Sequence, residues 1–391
     1  MKAEKPLRLA IVTGEESGDL LGADLVQALR NQYAGEVILS GVGGEHLSAL
    51  GLDSLFDQHE IALVGLSAII RKLPQLVRRI SQLANAIIAA KPDCLVIIDS
   101  PDFTHRVARK VRAADPSIPI VNYISPSVWA WRPERAKAMR AYVDHVLAIL
   151  PFEVQALKDL DGPPATYVGH RLVSHAPLIE AANHNRARNA GLGDRGEKQL
   201  VVLPGSRRSE IASLCGPFGE TVDLLEGRGN RMRVTLPTLP KVEPLVRQLT
   251  AGWRVQPRIV VGEAERLRAF AEADAALAAS GTVSLELALA RIPTVLSYKP
   301  DWLARTFLAP RIKVWSAALP NIIADEPVVP EYFNQFVRAG PLARQLEQLL
   351  IPGLRRRAQL ESFDKIARAM QTGRPAGEIA AGKVLELAKK R

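Results

Sequence analysis

Several short segments of this sequence bring together residue types that do chemistry. The apolar run Cys94–Ile98 ends in Asp99-Ser100-Pro101-Asp102-Phe103. Burial disfavours the charged form of a carboxylate, so an aspartate at the lip of a buried strand is suited to accept a proton near neutral pH. Asp99 has that placement. Asp102, which follows Pro101, also fits the capping of the next helix. The first apolar run leads into Gly14-Glu15-Glu16-Ser17-Gly18-Asp19. There Gly14 and Gly18 permit a tight turn, and Ser17 or Asp19 can cap a helix. A plain capped turn would not require the adjacent glutamates.

Three further segments have the character of a binding site. Ser125-Pro126-Ser127-Val128-Trp129-Ala130-Trp131-Arg132 holds two of the five tryptophans. A stiff aromatic loop of this kind can line a sugar or lipid site, with packing in the core as the alternative. In Leu203-Pro204-Gly205-Ser206-Arg207, with Glu210 three residues on, Gly205 lets the backbone approach a ligand and Arg207 can engage a diphosphate. Ala279-Ser280-Gly281-Thr282 opens a helix carrying Glu286. Amide groups at such a helix start, with two hydroxyls, suit pyrophosphate. Together these describe a nucleotide-diphosphate pocket. The glycines at 14, 18 and 22 do not match the dinucleotide G-x-G-x-x-G spacing, and no Walker motif, H-E-x-x-H or G-x-S-x-G is present. The seven histidines are scattered, and His46 and His105 fit surface or capping positions. No metal and no cofactor is expected.

The elements that must position these segments alternate between strand and helix. Strands are predicted at Arg8–Thr13, Val37–Ser40, Cys94–Ile98, Ile118–Ile124 and His145–Leu150, with helices at 19–33, 67–90, 102–114 and 132–142. A looser stretch at Gly162-Pro163-Pro164 and over 175–198 marks a hinge or linker. Strands then resume at Gln199–Leu203, Val234–Leu236, Arg258–Val261, Ala275–Ala279 and Thr294–Tyr298. Unbroken β-branched runs imply parallel strands buried on both faces. The expected fold is therefore α/β, with two Rossmann-like parallel-sheet domains facing a cleft and the chemistry beyond the strands' carboxyl ends. Residues 1–175 form the first domain, 176–340 the second, and 341–391 basic C-terminal helices.

Length and composition agree. A chain of 391 residues exceeds one ordinary domain, and 47% apolar against 24% charged residues supports large cores. The longest stretch without Asp, Glu, Lys or Arg is the sixteen residues 116–131, which contain three prolines. That is too short to span a bilayer. Cys94 and Cys215 are the only cysteines, so a disulfide framework is excluded and a reducing compartment fits. The opening MKAEKPLRLAIVTG has no apolar signal core, so export is not expected. The net charge of +10 points to phosphorylated substrates, an anionic membrane or nucleic acid. With aromatic residues at 5% and no nucleic-acid motif, nucleic acid is set aside. Ile61–Ile70 (IALVGLSAII), followed by Arg71, Lys72, Arg78 and Arg79, suits an interfacial membrane patch or a core helix.

The segments GEESGD, DSPDF, SPSVWAWR, PFE at 151–153, GH at 169–170, LPGSR, ASGT with Glu286, and LPN at 319–321 recur in order over nearly the whole chain. In this the sequence resembles lipid-A-disaccharide synthase, an inverting GT-B type glycosyltransferase family. The resemblance implies transfer of 2,3-diacylglucosamine from its UDP derivative to the 6-hydroxyl of 2,3-diacylglucosamine 1-phosphate. UDP and the β-1,6-linked disaccharide 1-phosphate would be the products. It implies Asp99 as general base, and Arg207, Ser280, Gly281, Thr282 and Glu286 around the uridine diphosphate. Glu15, Ser17, Asp102, Trp129, His170 and Asn321 would be further substrate contacts. It also implies a cytoplasmic location, peripheral on the inner face of a Gram-negative inner membrane. The C-terminal helices would pack on the first domain or on a partner chain in a homodimer. Ala68 and Thr104 stand where the family usually has glutamate and asparagine. The competing functions are a GT-B enzyme for another UDP-sugar, a weakly active divergent paralogue, and a non-catalytic basic binding protein.

Overall fold

The computed structural model describes residues 4–61, 66–190, 196–299 and 313–389, with backbone alone over 66–73 and at 190. It divides into two compact units. One comprises residues 1–171 and 372–391, the other 172–371.

In the first unit, β1 (Leu7–Thr13), β2 (Val37–Val42), β3 (Cys94–Ile98), β4 (Ile120–Tyr123), β5 (His145–Ala148) and β6 (Ala165–Tyr167) form one sheet. Their order is β2-β1-β3-β4-β5-β6, and every pairing is parallel. Alternate side chains of a strand point to opposite faces, and here both faces are covered. Ala10, Val12, Leu95 and Ile97 join one core layer, which contains Leu76, Ile80, Leu83 and Ile87 of helix Leu66–Ala90. Leu9, Ile11, Val96 and Ile98 join the other, with Leu25 and Leu29 of helix Glu16–Gln32. Double burial explains why β1 and β3 appear in the sequence as unbroken apolar runs.

The second unit repeats the plan with β7 (Glu197–Leu203), β8 (Arg231–Thr238), β9 (Arg258–Val261), β10 (Ala275–Ala279), β11 (Thr294–Tyr298) and β12 (Glu331–Phe333), ordered β12-β11-β10-β7-β8-β9 and all parallel. Helices Ala339–Leu349 and Leu354–Ala369 belong to this unit. The last helix, Ala376–Ala388, instead returns to the first. Its Ala380, Ala381 and Val384 are buried in the core layer behind Leu25, and Gln32 Nε2 donates to the Glu378 carbonyl at 2.9 Å.

Two expectations change. Most of the linker expected over 175–198 is a helix, Ala176–Ala190. Alanine favours helix, and Leu178, Ala181 and Asn185 put one face against the second unit. The strands β6 and β12 have three residues each and lie at sheet edges, too short to show a period. Of the expected interfacial patch Ile61–Ile70, residues 62–65 lie outside the described residues and 66–70 are described as helix backbone alone. Ile61 is buried, and the fork of Arg79 is engaged by both oxygens of Glu60 at 2.8 Å.

Candidate active site

In the first sheet the chain runs from β1 outward to β2, then crosses to β3 on the other side of β1. Such a switch point opens a crevice beyond the carboxyl ends of the two strands. Gly14 follows β1 and Asp99 follows β3. The Gly14 N–H donates to Asp99 Oδ1 at 2.8 Å, joining segments 85 residues apart. A Cβ on Gly14 would overlap the Ser100 hydroxyl, and one on Gly18 would overlap Asp99 Oδ2. The two glycines of GEESGD therefore serve close approach to the aspartate.

Asp99 and Ser100 both adopt left-handed backbone, with φ of 52° and 38°. For residues with a Cβ this carries strain of about 1 kcal/mol each. The Thr104 hydroxyl donates to the Asp99 carbonyl at 2.7 Å and to that of Ser100 at 3.2 Å, tying down the turn. Asp99 Oδ2 is buried without a hydrogen-bond partner. Burial raises the Asp99 pKa to about 7, against the opposing pull of the Gly14 N–H and with a further push from the Glu15 charge. A cavity of about 250 Å³ is lined by Asp99, Asn122, Ser127, Trp131 and Arg135, among others.

The neighbouring segments hold one another in place. Glu15 and Ser17 are exposed at the start of helix Glu16–Gln32. Gln58, which the sequence did not single out, pins this turn by donating to Thr13 Oγ1 at 2.9 Å and to the Glu15 carbonyl at 2.7 Å. Asp19 does not cap its own helix. It is buried and accepts from the N–H groups of Gly44, His46 and Leu47, capping helix Glu45–Ala49. Asp102 is exposed in the first turn of helix Pro101–Ala114, whose cap position is Ser100, and it pairs with Arg135 at 3.2 Å.

SPSVWAWR and PFE meet. Trp129 Nε1 donates to Glu153 Oε1 at 3.2 Å, and its ring stands edge-on to Phe152 with centroids 4.9 Å apart. Glu153 Oε2 also accepts from the N–H groups of Ile149 and Leu150, and burial raises the Glu153 pKa to about 7. Trp131 lies under the Arg132 guanidinium at 4.4 Å. His170 follows Gly169 after β6. Its half-buried ring has a pKa lowered to about 4 by desolvation, with Arg171 adding to the effect.

The second sheet has its own switch point, between β7 and β10. Gly205 after β7 has φ 120°, and a Cβ there would lie 2.6 Å from Glu210. Glu210 Oε2 accepts from the N–H groups of Ser206 and Arg207, at 3.1 and 3.3 Å. Its Oε1 pairs with the exposed Arg207 guanidinium at 3.1 Å. After β10, the Ser280 hydroxyl donates to the Ala317 carbonyl at 3.2 Å, while Gly281 faces open space and Thr282 sits at the N-cap position of helix Val283–Leu289 without a side-chain cap hydrogen bond. Glu286 in this helix is paired with Arg266. Burial raises its pKa and the Arg266 charge opposes the rise.

Asn321 is 2% exposed, and the chain itself satisfies its amide. Its Nδ2 donates to the Val329 carbonyl at 2.9 Å and to Glu331 Oε2 at 3.2 Å, and its Oδ1 accepts the Val329 N–H at 2.7 Å. Glu331 also accepts from Ser316 and from the Ala317 N–H. Asn321 is thereby connected to the strand end at Ser280 through Glu331 and Ala317. Nothing in the sequence pattern marked Glu331.

Two parallel α/β units, each with its marked residues at a switch point, define the GT-B class of fold. The chain is similar in fold to MnaA of S. aureus solved with UDP, at a TM-score of 0.61 and 12% identity, covering 97% of this chain and 95% of that one. It matches MurG of Acinetobacter baumannii at a TM-score of 0.56 and 13% identity, covering 99% and 100%. A family profile described as lipid-A-disaccharide synthetase matches residues 9–381. Lipid-A-disaccharide synthase of Rhodopseudomonas palustris strain HaA2 is 47% identical over 375 residues, covering 95% of this chain and 94% of the relative. The Nitrobacter winogradskyi enzyme is 46% identical over 384 residues, covering 97% and 95%. The chain belongs to the lipid-A-disaccharide synthetase family.

Proposed function

We propose that the protein transfers 2,3-diacylglucosamine from its UDP derivative to the 6-hydroxyl of 2,3-diacylglucosamine 1-phosphate, with inversion at the anomeric carbon. The observation that carries this is Asp99: a carboxylate at a switch point, oriented by Gly14, with a proton affinity near neutral. Its carboxylate takes the proton of the acceptor hydroxyl, and that oxygen forms a bond to the donor's anomeric carbon. The bond from that carbon to the β-phosphate oxygen breaks, and UDP leaves. The Arg207 guanidinium and the amide groups around Gly281 and Thr282 offset the charge that develops on UDP. Glu286, paired with Arg266, accepts from the ribose hydroxyls. Asn321 acts from a distance, by holding Glu331 and the segment that receives the Ser280 hydroxyl. Glu15, Ser17, Asp102, Trp129 and His170 form the surroundings of the acceptor.

Acyl-chain substrates reside in a bilayer. We infer that the protein works at the cytoplasmic face of a Gram-negative inner membrane, bound peripherally through basic and apolar residues. Among the described residues no helix is long and apolar enough to cross a membrane. Co-sedimentation with anionic vesicles at low salt, reversed at high salt, is expected. Failure to pellet with the vesicles at any salt concentration argues against the surface role.

The reaction is tested by supplying both lipid substrates and identifying the product by mass. A disaccharide 1-phosphate with stoichiometric UDP is expected. Turnover of UDP-N-acetylglucosamine without that product would favour a GT-B enzyme for another sugar.

A further inference from the structure

We propose that a recess formed by Arg106, Arg109 and Arg135 with the His105 imidazole is the subsite for the anomeric phosphate of the acceptor. This rests on the reaction proposed above and assigns a part of the acceptor to particular side chains.

The recess, of about 110 Å³, lies in the first unit between helices Pro101–Ala114 and Glu134–Met139. Pro101, His105, Pro126 and Arg135 line both it and the Asp99 cavity, so the two adjoin. Asp102, Arg106 and Arg109 recur at helical spacing on one face, because residues three and four apart are neighbours on a helix. Asp102 is the one carboxylate in the lining and offsets one guanidinium by pairing with Arg135. The recess therefore keeps a surplus of positive charge, and guanidinium forks match phosphate oxygens.

Arginines on a helix are most often a solvated face, and Arg109 stacks over Tyr142 at 4.6 Å. A solvated face does not account for His105. This residue was expected at the surface or at a cap, yet it is 8% exposed, enclosed by the packing of Tyr142 against its ring. Arg109 Nη2 donates to the Tyr142 hydroxyl at 3.3 Å. The same hydroxyl lies 3.0 Å from His105 Nδ1. In the tautomer that accepts from Tyr142 at Nδ1, the neutral ring carries its proton on Nε2. Burial favours this neutral form by lowering the His105 pKa to about 4. Nε2 is buried with no partner at full hydrogen-bond distance; the polar group beside the ring is the Asn122 side chain, whose Nδ2 donates to the Ile124 carbonyl at 3.1 Å. His105 thus lines an arginine-rich recess with a ring nitrogen that makes no close hydrogen bond within the chain. A phosphate monoester on ring carbon 1 of the sugar whose 6-hydroxyl meets Asp99 supplies both the negative charge and the acceptor oxygen.

The test compares two acceptors in detergent micelles at saturating donor: 2,3-diacylglucosamine 1-phosphate and the same lipid without phosphate. The native protein is expected to prefer the phosphorylated lipid by roughly 10-fold to 100-fold in kcat/KM. In Arg106→Gln and Arg135→Gln that preference collapses towards unity, while UDP affinity, which reports on the other unit, is unchanged. His105→Gln, which keeps a terminal N–H, retains more of the preference than His105→Leu. Calorimetry with glucosamine 1-phosphate and with glucosamine decides the subsite even if neither lipid turns over. Tighter binding of the phosphorylated sugar by the native chain, lost in the arginine variants, supports it. Equal losses on both acceptors would assign the arginines to the membrane surface or to folding. That result, or unchanged discrimination in the variants, overturns the proposal.

Discussion

Gly18 lies so close to the Asp99 carboxylate that any Cβ at this position would overlap Oδ2. Gly18→Ala is therefore expected to displace the carboxylate without touching the second unit. A displacement of about 1 Å costs on the order of 100-fold in kcat, with UDP affinity preserved. Gly281 faces open space, so Gly281→Ala should fold normally. Any defect in that variant appears as weaker UDP binding. Steady-state kinetics and calorimetry on the two variants separate the effects.

Thr104 is the residue that ties the left-handed Asp99–Ser100 turn to its helix. Thr104→Val removes the hydroxyl and leaves two carbonyls without it, a loss of about 1 kcal/mol in stability with a lower kcat. Thr104→Asn offers an amide donor in its place and is expected to keep activity within a few-fold of the native protein. If the valine variant is as active as the native chain, the turn does not depend on this bond.

The junction of Trp129 with Glu153 should be visible in stability and in its pH dependence. Trp129→Phe leaves Glu153 Oε1 without its indole donor, at a cost of about 1–3 kcal/mol by urea unfolding. Burial raises both Glu153 and Asp99 to about 7. Each holds its proton more tightly folded than unfolded, so between about pH 4 and 7 the native state binds more protons. Their contribution makes stability fall as pH rises through that window. In Glu153→Gln the slope from this group disappears, and urea midpoints at pH 5 and pH 8 lie closer together than in the native protein.

Asn321→Leu removes three hydrogen bonds and leaves the Val329 backbone and one Glu331 oxygen short of partners. Destabilisation of about 2–4 kcal/mol is expected. UDP affinity should weaken as well, because Glu331 holds Ala317, which receives the Ser280 hydroxyl. A variant with native UDP affinity would separate Asn321 from the nucleotide site.

The parallel sheets were legible because β1, β3, β7 and β10 are buried on both faces, which leaves unbroken apolar runs. The edge strands β6 and β12 have no such run. Asp99 stood out because it ends a buried strand. Gly14 was legible as a turn residue but not as the partner of Asp99, because the contact joins segments 85 residues apart and is made by a backbone N–H. The same limit concealed which helix Asp19 caps, one 25 residues downstream, and concealed Gln58, which pins the turn at Glu15. Asn321 could be placed in a motif, but its inward orientation depends on Val329 and Glu331, which no spacing rule connects to it. Lone histidines such as His105 carry no local signal of burial, since its enclosure comes from Tyr142 on a different segment.

The most direct test of Asp99 as the base is disaccharide formation by the native chain and by Asp99→Asn across pH 5 to 9. The account predicts that native kcat/KM rises with pH, levels off above about 7 as Asp99 loses its proton, and that Asp99→Asn binds UDP normally but forms no measurable disaccharide. Near-native turnover by Asp99→Asn, or a native rate that does not change across this range, would contradict it.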